Sequence, residues 1–144
     1  MKAYTDIEQS KKLTEILPLE SADMWWLYVL SQGKHIAMMY EEPDPHYLAR
    51  MERYGIKDCA IRCWSLAALI NVLPSDWWGY NEHYFLEISK MGDASKPNEV
   101  RYYRHRKEID GANYDRISHI SHSSENLIDA CVNMIITLNE HKLL

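Results

Sequence analysis

The sequence is poor in the residues that interrupt regular structure, and it has no long hydrophobic run. Only 5 of its 144 residues are glycine and 5 are proline, which excludes collagen-like and low-complexity chains. Its strongest apolar stretches, "MWWLYVL" and "WSLAALINVLP", are well short of the roughly 20 residues that a membrane-spanning helix requires. We therefore expect a globular chain that does not enter a membrane.

Cysteine is scarce as well, and the three cysteines are an odd number. They cannot form a closed disulfide framework, and free thiols are typical of a reducing compartment. The first residues, "MKAYTDIEQSKKL", are polar and amphipathic and lack the apolar segment of a signal peptide. Together these features predict a cytoplasmic protein.

Neither sign of charge dominates the chain. It carries 16 Lys and Arg against 21 Asp and Glu, a formal net charge of −5. Residues 1–60 hold 7 cations and 10 anions, and residues 61–144 hold 9 and 11, so both halves share the imbalance. This distribution argues against a dominant attraction to nucleic acid or to a membrane surface.

What the chain does have is an unusual aromatic set of ten Tyr and five Trp beside a single Phe. Tyr and Trp combine an apolar ring with a polar group, which suits the edge of a core or a contact surface better than a deep core. This bias favours a protein that binds something through its surface.

The first 60 residues predict a helix, a β-hairpin and a short second helix. Thr5 and Glu8 have the spacing of a capping box, which predicts a helix over residues 6–17. Gly33 separates two apolar stretches and predicts the turn of a hairpin. Both arms, 24–30 and 35–40, are apolar on both faces, which predicts cover by helices or by a second subunit.

The short second helix is indicated by its ends. Asp44 followed by Pro45 is a typical helix start, and Gly55 is typical of a helix end.

Further along, residues 59–74 are apolar nearly all round and predict a buried central helix. Its start is either near Asp58 or after an extended "CAIRCW" segment, and we favour the later start with a serine cap, Ser65.

The remaining chain predicts strands and a last helix. Residues 83–89 and 99–106 read as two strands joined by the turn-rich residues 90–98, and a third extended segment, 114–120, follows a turn at Gly111. A helix capped by Ser123 or Ser124 then closes the chain. Its apolar stripe consists of Leu127, Ile128, Cys131, Met134, Ile135 and Leu138. This order predicts one α+β domain over residues 1–144, with a mainly antiparallel sheet, an N-terminal helix, a buried central helix and a C-terminal helix.

Three stretches, "KKLTEILPLESADMWW", "CWSLAALINVLP" and "LIDACVNMIITLNE", together resemble a family of small uncharacterised proteins of gut Bacteroides-type bacteria and of their phages and mobile elements. These stretches are core-like helices and their caps. The resemblance therefore implies a shared fold and carries no catalytic, cofactor or binding role to any residue of this chain.

No catalytic motif or cofactor site is predicted. Ser65 lacks the Gly-x-Ser-x-Gly turn of a nucleophilic serine, all five glycines are isolated, and Cys131 lies inside an apolar stripe. Zinc would need two pairs of ligands, and the available pairs are Cys59 with Cys63 and the His119-x-x-His122 pair. Because the cysteines lie in a strongly apolar segment, we expect buried thiols and no metal.

The stretch "RYYRHRK", residues 101–107, concentrates a quarter of the positive charge. In a strand, Tyr102, Arg104 and Arg106 point away from Arg101, Tyr103, His105 and Lys107, so the cations divide between two faces. We interpret this stretch as a solvated edge strand, with Glu82, Glu87 and Glu99 as cross-strand partners.

The paired indoles in "PSDWWGY" lie in a segment that we predict to be turn-like, where they cover the core or contact a ligand. The candidate binding surface consists of Arg101, Tyr103, Arg104, His105, Arg106, Lys107, Trp77 and Trp78.

These observations favour a small, non-catalytic protein-interaction or accessory domain, with self-association as one form of the interaction. The alternative is a nucleic-acid-binding protein that uses the 101–107 strand, and a second alternative is an enzyme whose site is assembled from distant residues.

Overall fold

The computed structural model describes residues 2–39, 42–79, 82–90, 97–107 and 114–144, with residues 106, 107 and 114–118 described by their backbone alone. The elements of this part are α1 Ile7–Thr14, β1 Met24–Val29, β2 Lys34–Met38, α2 Pro45–Arg53, β3 Ala60–Cys63, α3 Leu66–Val72, β4 Asp76–Gly79, β5 Glu82–Ser89, β6 Asn98–Lys107, β7 Tyr114–Ser124 and α4 Leu127–Glu140. The α+β class with antiparallel sheets is confirmed. Most of the predicted connection at 90–98 and the predicted turn at Gly111 fall outside the described residues.

The chain divides into two compact units, residues 2–68 and residues 69–144, which we describe one at a time. The single domain over residues 1–144 therefore stays a prediction. In the described part of the chain, no helix is both long enough and apolar enough to cross a membrane.

The first unit contains a three-stranded antiparallel sheet in the order β2-β1-β3. The predicted hairpin of β1 and β2 is confirmed, and Gly33 has the positive φ of 62° that its turn requires. The predicted extended segment before the central helix is β3, which pairs with the other edge of β1. The later helix start is confirmed too, because the Ser65 hydroxyl accepts a hydrogen bond from the Ala68 amide at 3.2 Å.

The N-terminal helix is present, but its predicted cap and length were wrong. The capping box is formed by Asp6 and Gln9, one residue later than predicted. Thr5 cannot serve as the cap because its hydroxyl is fully buried and accepts from the Trp64 amide at 3.1 Å. The helix ends at Thr14 and not at residue 17. The second helix has the predicted start, because the Asp44 carboxylate accepts from the His46 amide.

The second unit contains a four-stranded antiparallel sheet in the order β4-β5-β6-β7. The three predicted strands are confirmed as β5, β6 and β7, whereas β4 is a strand where a turn-like segment was expected. The edge-strand interpretation of residues 101–107 was wrong, since β6 has a paired neighbour on each side. Two of its cations, Arg101 and Arg104, are accommodated in the middle of the sheet because carboxylates on β5 pair with them.

The last helix, α4, packs against β6 and β7. Its cap is Asn126, whose side chain accepts from the Ile128 amide at 2.9 Å, and not Ser123 or Ser124 as predicted. The Ser124 hydroxyl instead accepts from the Asn126 amide, so it supports the cap from outside the helix. The predicted apolar stripe is confirmed, and its fully buried members are Ile128, Cys131, Met134, Ile135 and Leu138.

Candidate binding surface

Strand alternation gives the four-stranded sheet two different faces. Val100 and Tyr102 are fully buried on the inner face, where the His122 imidazole of β7 is hydrogen-bonded to Thr137 of α4 at 2.7 Å. On the outer face the strands present a row of rings, which we call the aromatic face. Its members are Trp78 of β4, His83 and Phe85 of β5, and Tyr103 and His105 of β6.

The rings of the aromatic face are in sequential contact. The Trp78 indole is stacked on the His83 imidazole with centroids 4.4 Å apart and an interplanar angle of 10°, and His83 lies 4.3 Å from Phe85. Phe85 lies 6.0 Å from Tyr103 and 5.7 Å from His105, across the β5–β6 pair. Such distances are those of favourable aromatic pairs. The row ends at Trp78, which is 73% exposed although it is the largest of these side chains.

Charged groups at the two ends of the aromatic face are held in pairs. At one end His83 is hydrogen-bonded to Asp76 at 2.5 Å, and the bonds from His83 and then from Ser75 lower the pKa of Asp76. At the other end Arg101 donates to Glu87 at 2.7 Å, directly opposite on β5. Glu87 is one of the cross-strand partners expected from the sequence. The face therefore presents apolar ring surface between compensated charges.

Two of the predicted site residues lie on the opposite face of the sheet. Arg104 donates to Glu82 at 2.7 Å, another of the expected partners, and Trp77 is stacked on Tyr84 with centroids 4.2 Å apart. A Cβ atom on Gly79 would overlap the Trp77 ring, so a glycine is needed beside this indole. Trp77 is thus a packing residue, whereas its neighbour Trp78 is exposed.

The predicted surface is therefore divided by the strand alternation. The structure brings Arg101, Tyr103, His105 and Trp78 together on the outer face. The backbones of Arg106 and Lys107 lie in β6 opposite Asp115 and Tyr114, and their side chains are outside the described part. Sequence reasoning missed Asp76, His83 and Phe85, which become neighbours of Tyr103 only through the register of three strands. The alternation of residues 83–89 was a usable signal for Phe85.

The hydrogen bonds around Asp76 do not form a serine-type catalytic relay. Its carboxylate accepts from the Ser75 hydroxyl at 2.9 Å and is also bonded to His83. In a nucleophilic relay the imidazole lies between the hydroxyl and the carboxylate, so that it can take the hydroxyl proton. Here the carboxylate lies in the middle, and the His83 imidazole is stacked on Trp78 and tilted against Phe85 as part of the aromatic face.

Two of the three thiols, those of Cys63 and Cys131, are buried as expected, whereas Cys59 is half-buried. Cys63 is fully buried beside Thr5, and burial raises the pKa of its thiol. Burial also raises the pKa of Cys131 to about 11. Cys63 is the last residue of β3, and Cys59 directly precedes this strand. Among the residues that the structure describes, no three His, Cys, Asp or Glu side chains gather in a way that could hold a metal ion.

No family model matches the chain, and neither the curated proteins nor the solved structures include a significant match.

Proposed function

We propose that the protein is a small, non-catalytic protein-interaction domain that binds a partner protein through the aromatic face. The observation that carries this proposal is the exposed Trp78 indole, which lies flat on His83 at the end of a row of contacting rings. Trp, Tyr and Arg are the residues that contribute most to binding energy at protein interfaces. The aromatic face provides Trp78 and Tyr103, with the Arg101 guanidinium 5.9 Å from the Tyr103 ring.

The charge around the aromatic face favours a protein over a nucleic acid. Nucleic-acid affinity comes mainly from cations that neutralise phosphates. Arg101 instead donates to Glu87, and Glu99 and Asp76 add two further carboxylates on the same side of the sheet. The whole chain is acidic as well, with a net charge of −5. A partner protein can bury the rings and tolerate paired charges at the rim of the contact.

The test is capture of partners with matched variants, followed by direct measurement. Wild type, Trp78→Ala and Tyr54→Ala would each be used to capture proteins from the native host. Tyr54 is the control because it is also an exposed aromatic residue, 62% exposed, but lies outside the aromatic face. We expect a defined protein that wild type and Tyr54→Ala retain and Trp78→Ala loses. With that protein purified, Trp78→Ala should weaken binding by roughly tenfold or more, the effect of removing an interface anchor.

Self-association is a special case of the same proposal. If the partner is a second copy of the chain, sedimentation velocity should show a concentration-dependent dimer for wild type and a monomer for Trp78→Ala. If wild type stays monomeric and no captured protein depends on Trp78 or Tyr103, the proposal is wrong.

Single-stranded nucleic acid is the second candidate, and one observation favours it. Phe85 and Tyr103 lie on the two central strands of an antiparallel four-stranded sheet, an arrangement on which unpaired bases can stack. Fluorescence anisotropy with an oligothymidine at low salt tests this candidate. Binding that weakens with salt, with a logarithmic slope of about −0.7 for each neutralised phosphate, would support it. Absence of binding at low salt would remove it.

A further inference from the structure

The first unit contains a cavity of about 560 Å³ between α2 and one face of the β1–β2 hairpin. This size falls within the range of small-molecule sites. The hairpin contributes Leu27, Val29 and Met38, which strand alternation and register place on the same face of the sheet. Met51 of α2, which is 2% exposed, closes the cavity from the helix side. Most of the lining is therefore apolar and belongs to regular elements.

Two tyrosines line the cavity, and the hydroxyl of the one on α2, Tyr47, is already hydrogen-bonded within the protein. The Tyr47 hydroxyl donates at 2.9 Å to the carbonyls of both Tyr28 and Cys59, which ties α2 to the sheet. Burial raises the pKa of Tyr47, so the hydroxyl remains a neutral donor in these bonds. The tyrosine thus presents its ring to the cavity and extends the apolar wall.

The three charged side chains that line the cavity differ in the partners that they already have within the protein. Glu42 accepts from Arg62 at 2.8 Å, and Asp44 accepts from the His46 amide as the cap of α2. Arg50 contacts the Tyr54 ring, with its guanidinium carbon 6.0 Å from the centroid. Within the described residues Arg50 has no carboxylate partner, so its guanidinium can still pair with an anionic head group.

We propose that the cavity binds an amphiphilic carboxylate, with its apolar chain against Leu27, Val29 and Met38 and its head group on Arg50. A guanidinium matches a carboxylate because two parallel N–H groups can donate to its two oxygens. The apolar chain packs against these side chains and displaces water from the apolar wall of the cavity, which is favourable. A cationic amphiphile of the same length lacks this match, because the carboxylates at the rim already have donors. This site consists of first-unit residues alone and does not depend on the aromatic face.

Calorimetric titration with decanoate, below its micelle-forming concentration, tests the proposal. Decyltrimethylammonium and decanol are the matched cationic and neutral probes. We expect decanoate to bind in the submillimolar range and both other probes to bind at least about tenfold more weakly, the scale of one charge-assisted contact. Arg50→Gln should weaken decanoate binding by a similar factor. Arg53→Gln, the same change on an exposed residue of the same helix, should leave it within about twofold.

A second measurement locates the ligand without any substitution. In methyl spectra of protein labelled at methionine, decanoate should shift Met38 and Met51 and leave Met134 of α4 in place. The inference is overturned if decanoate does not bind, if decanol or the cation binds equally well, if Arg50→Gln has no effect, or if Met134 shifts as much as Met38. The Trp78→Ala variant should bind decanoate like wild type, which separates this site from the proposed protein contact.

Discussion

A buried hydroxyl pair joins α1 to the strand region of the first unit, and its removal should produce a defined loss of stability. The Thr5 hydroxyl accepts from the Trp64 amide at 3.1 Å and is hydrogen-bonded to the Ser10 hydroxyl at 2.7 Å. Thr5 and Ser10 are both fully buried. The side chain that sequence reasoning assigned to a helix cap is thus an internal connection between distant parts of the chain.

Thr5→Val keeps the shape of the side chain but removes its oxygen. The Trp64 amide is then a buried donor without its acceptor, which costs about 1–3 kcal/mol. The lost bond to Ser10 adds about 0.5–1.5 kcal/mol, and the extra methyl group offsets up to about 0.8 kcal/mol. We expect Thr5→Val to lower the free energy of unfolding by about 2 kcal/mol. Ser10→Ala should lower it by about 1 kcal/mol, because Thr5 still accepts from the Trp64 amide.

The double variant isolates the bond between the two hydroxyls. Thr5→Val with Ser10→Ala should lose about 0.5–1 kcal/mol less than the sum of the single changes, since both single changes remove the same bond. Urea unfolding gives these free energies, and hydrogen exchange of the Trp64 amide reports the local effect. Thr14→Val is the matched control, because Thr14 is an exposed threonine of α1, the helix that contains Ser10, and it should change stability by less than about 0.5 kcal/mol. Additive losses, or a Thr5→Val effect no larger than the control, would refute the reasoning.

Three further predictions concern the second unit and the thiols. Trp77→Ala should lower the free energy of unfolding by about 3 kcal/mol, whereas Trp78→Ala should change it by less than about 0.5 kcal/mol in the same urea titration, because one indole is packed and the other exposed. Equal effects would contradict the assignment of the two faces. Burial lowers the pKa of His122 from 6.5, so its neutral form is favoured in the folded state. Stability should therefore decrease as the pH falls below about 6.5, and His122→Asn should reduce this decrease in urea titrations between about pH 7.5 and 5.5. In native protein a thiol reagent should modify Cys59 first, because Cys63 and Cys131 are buried. With a pKa of about 11, the Cys131 thiol is only about one thousandth thiolate at pH 8, and the thiolate is the reactive form. Rapid modification of all three cysteines would contradict the buried positions.

Much of the architecture could be read from local patterns. The start of α2 followed from Asp44 and Pro45, and the hairpin turn followed from Gly33, because caps and tight turns depend on a few neighbouring residues. The apolar stripe of α4 followed from its helical period. The errors arose where a side chain found a distant partner. The Thr5 hydroxyl contacts Trp64 rather than its own helix, and that contact moved the helix cap to Asp6.

The same division applies to the candidate site. The order of the amino acids is enough to predict that Arg101 and Tyr103 share a face of their strand and that Arg104 does not, because side chains alternate along any strand. The central position of β6, the presence of strand β4, and the row that Trp78 forms with His83, Phe85 and Tyr103 emerge from the folded chain alone. Alternation is a property of the local backbone, whereas strand order and register depend on pairings between residues far apart in the chain, which no local pattern specifies.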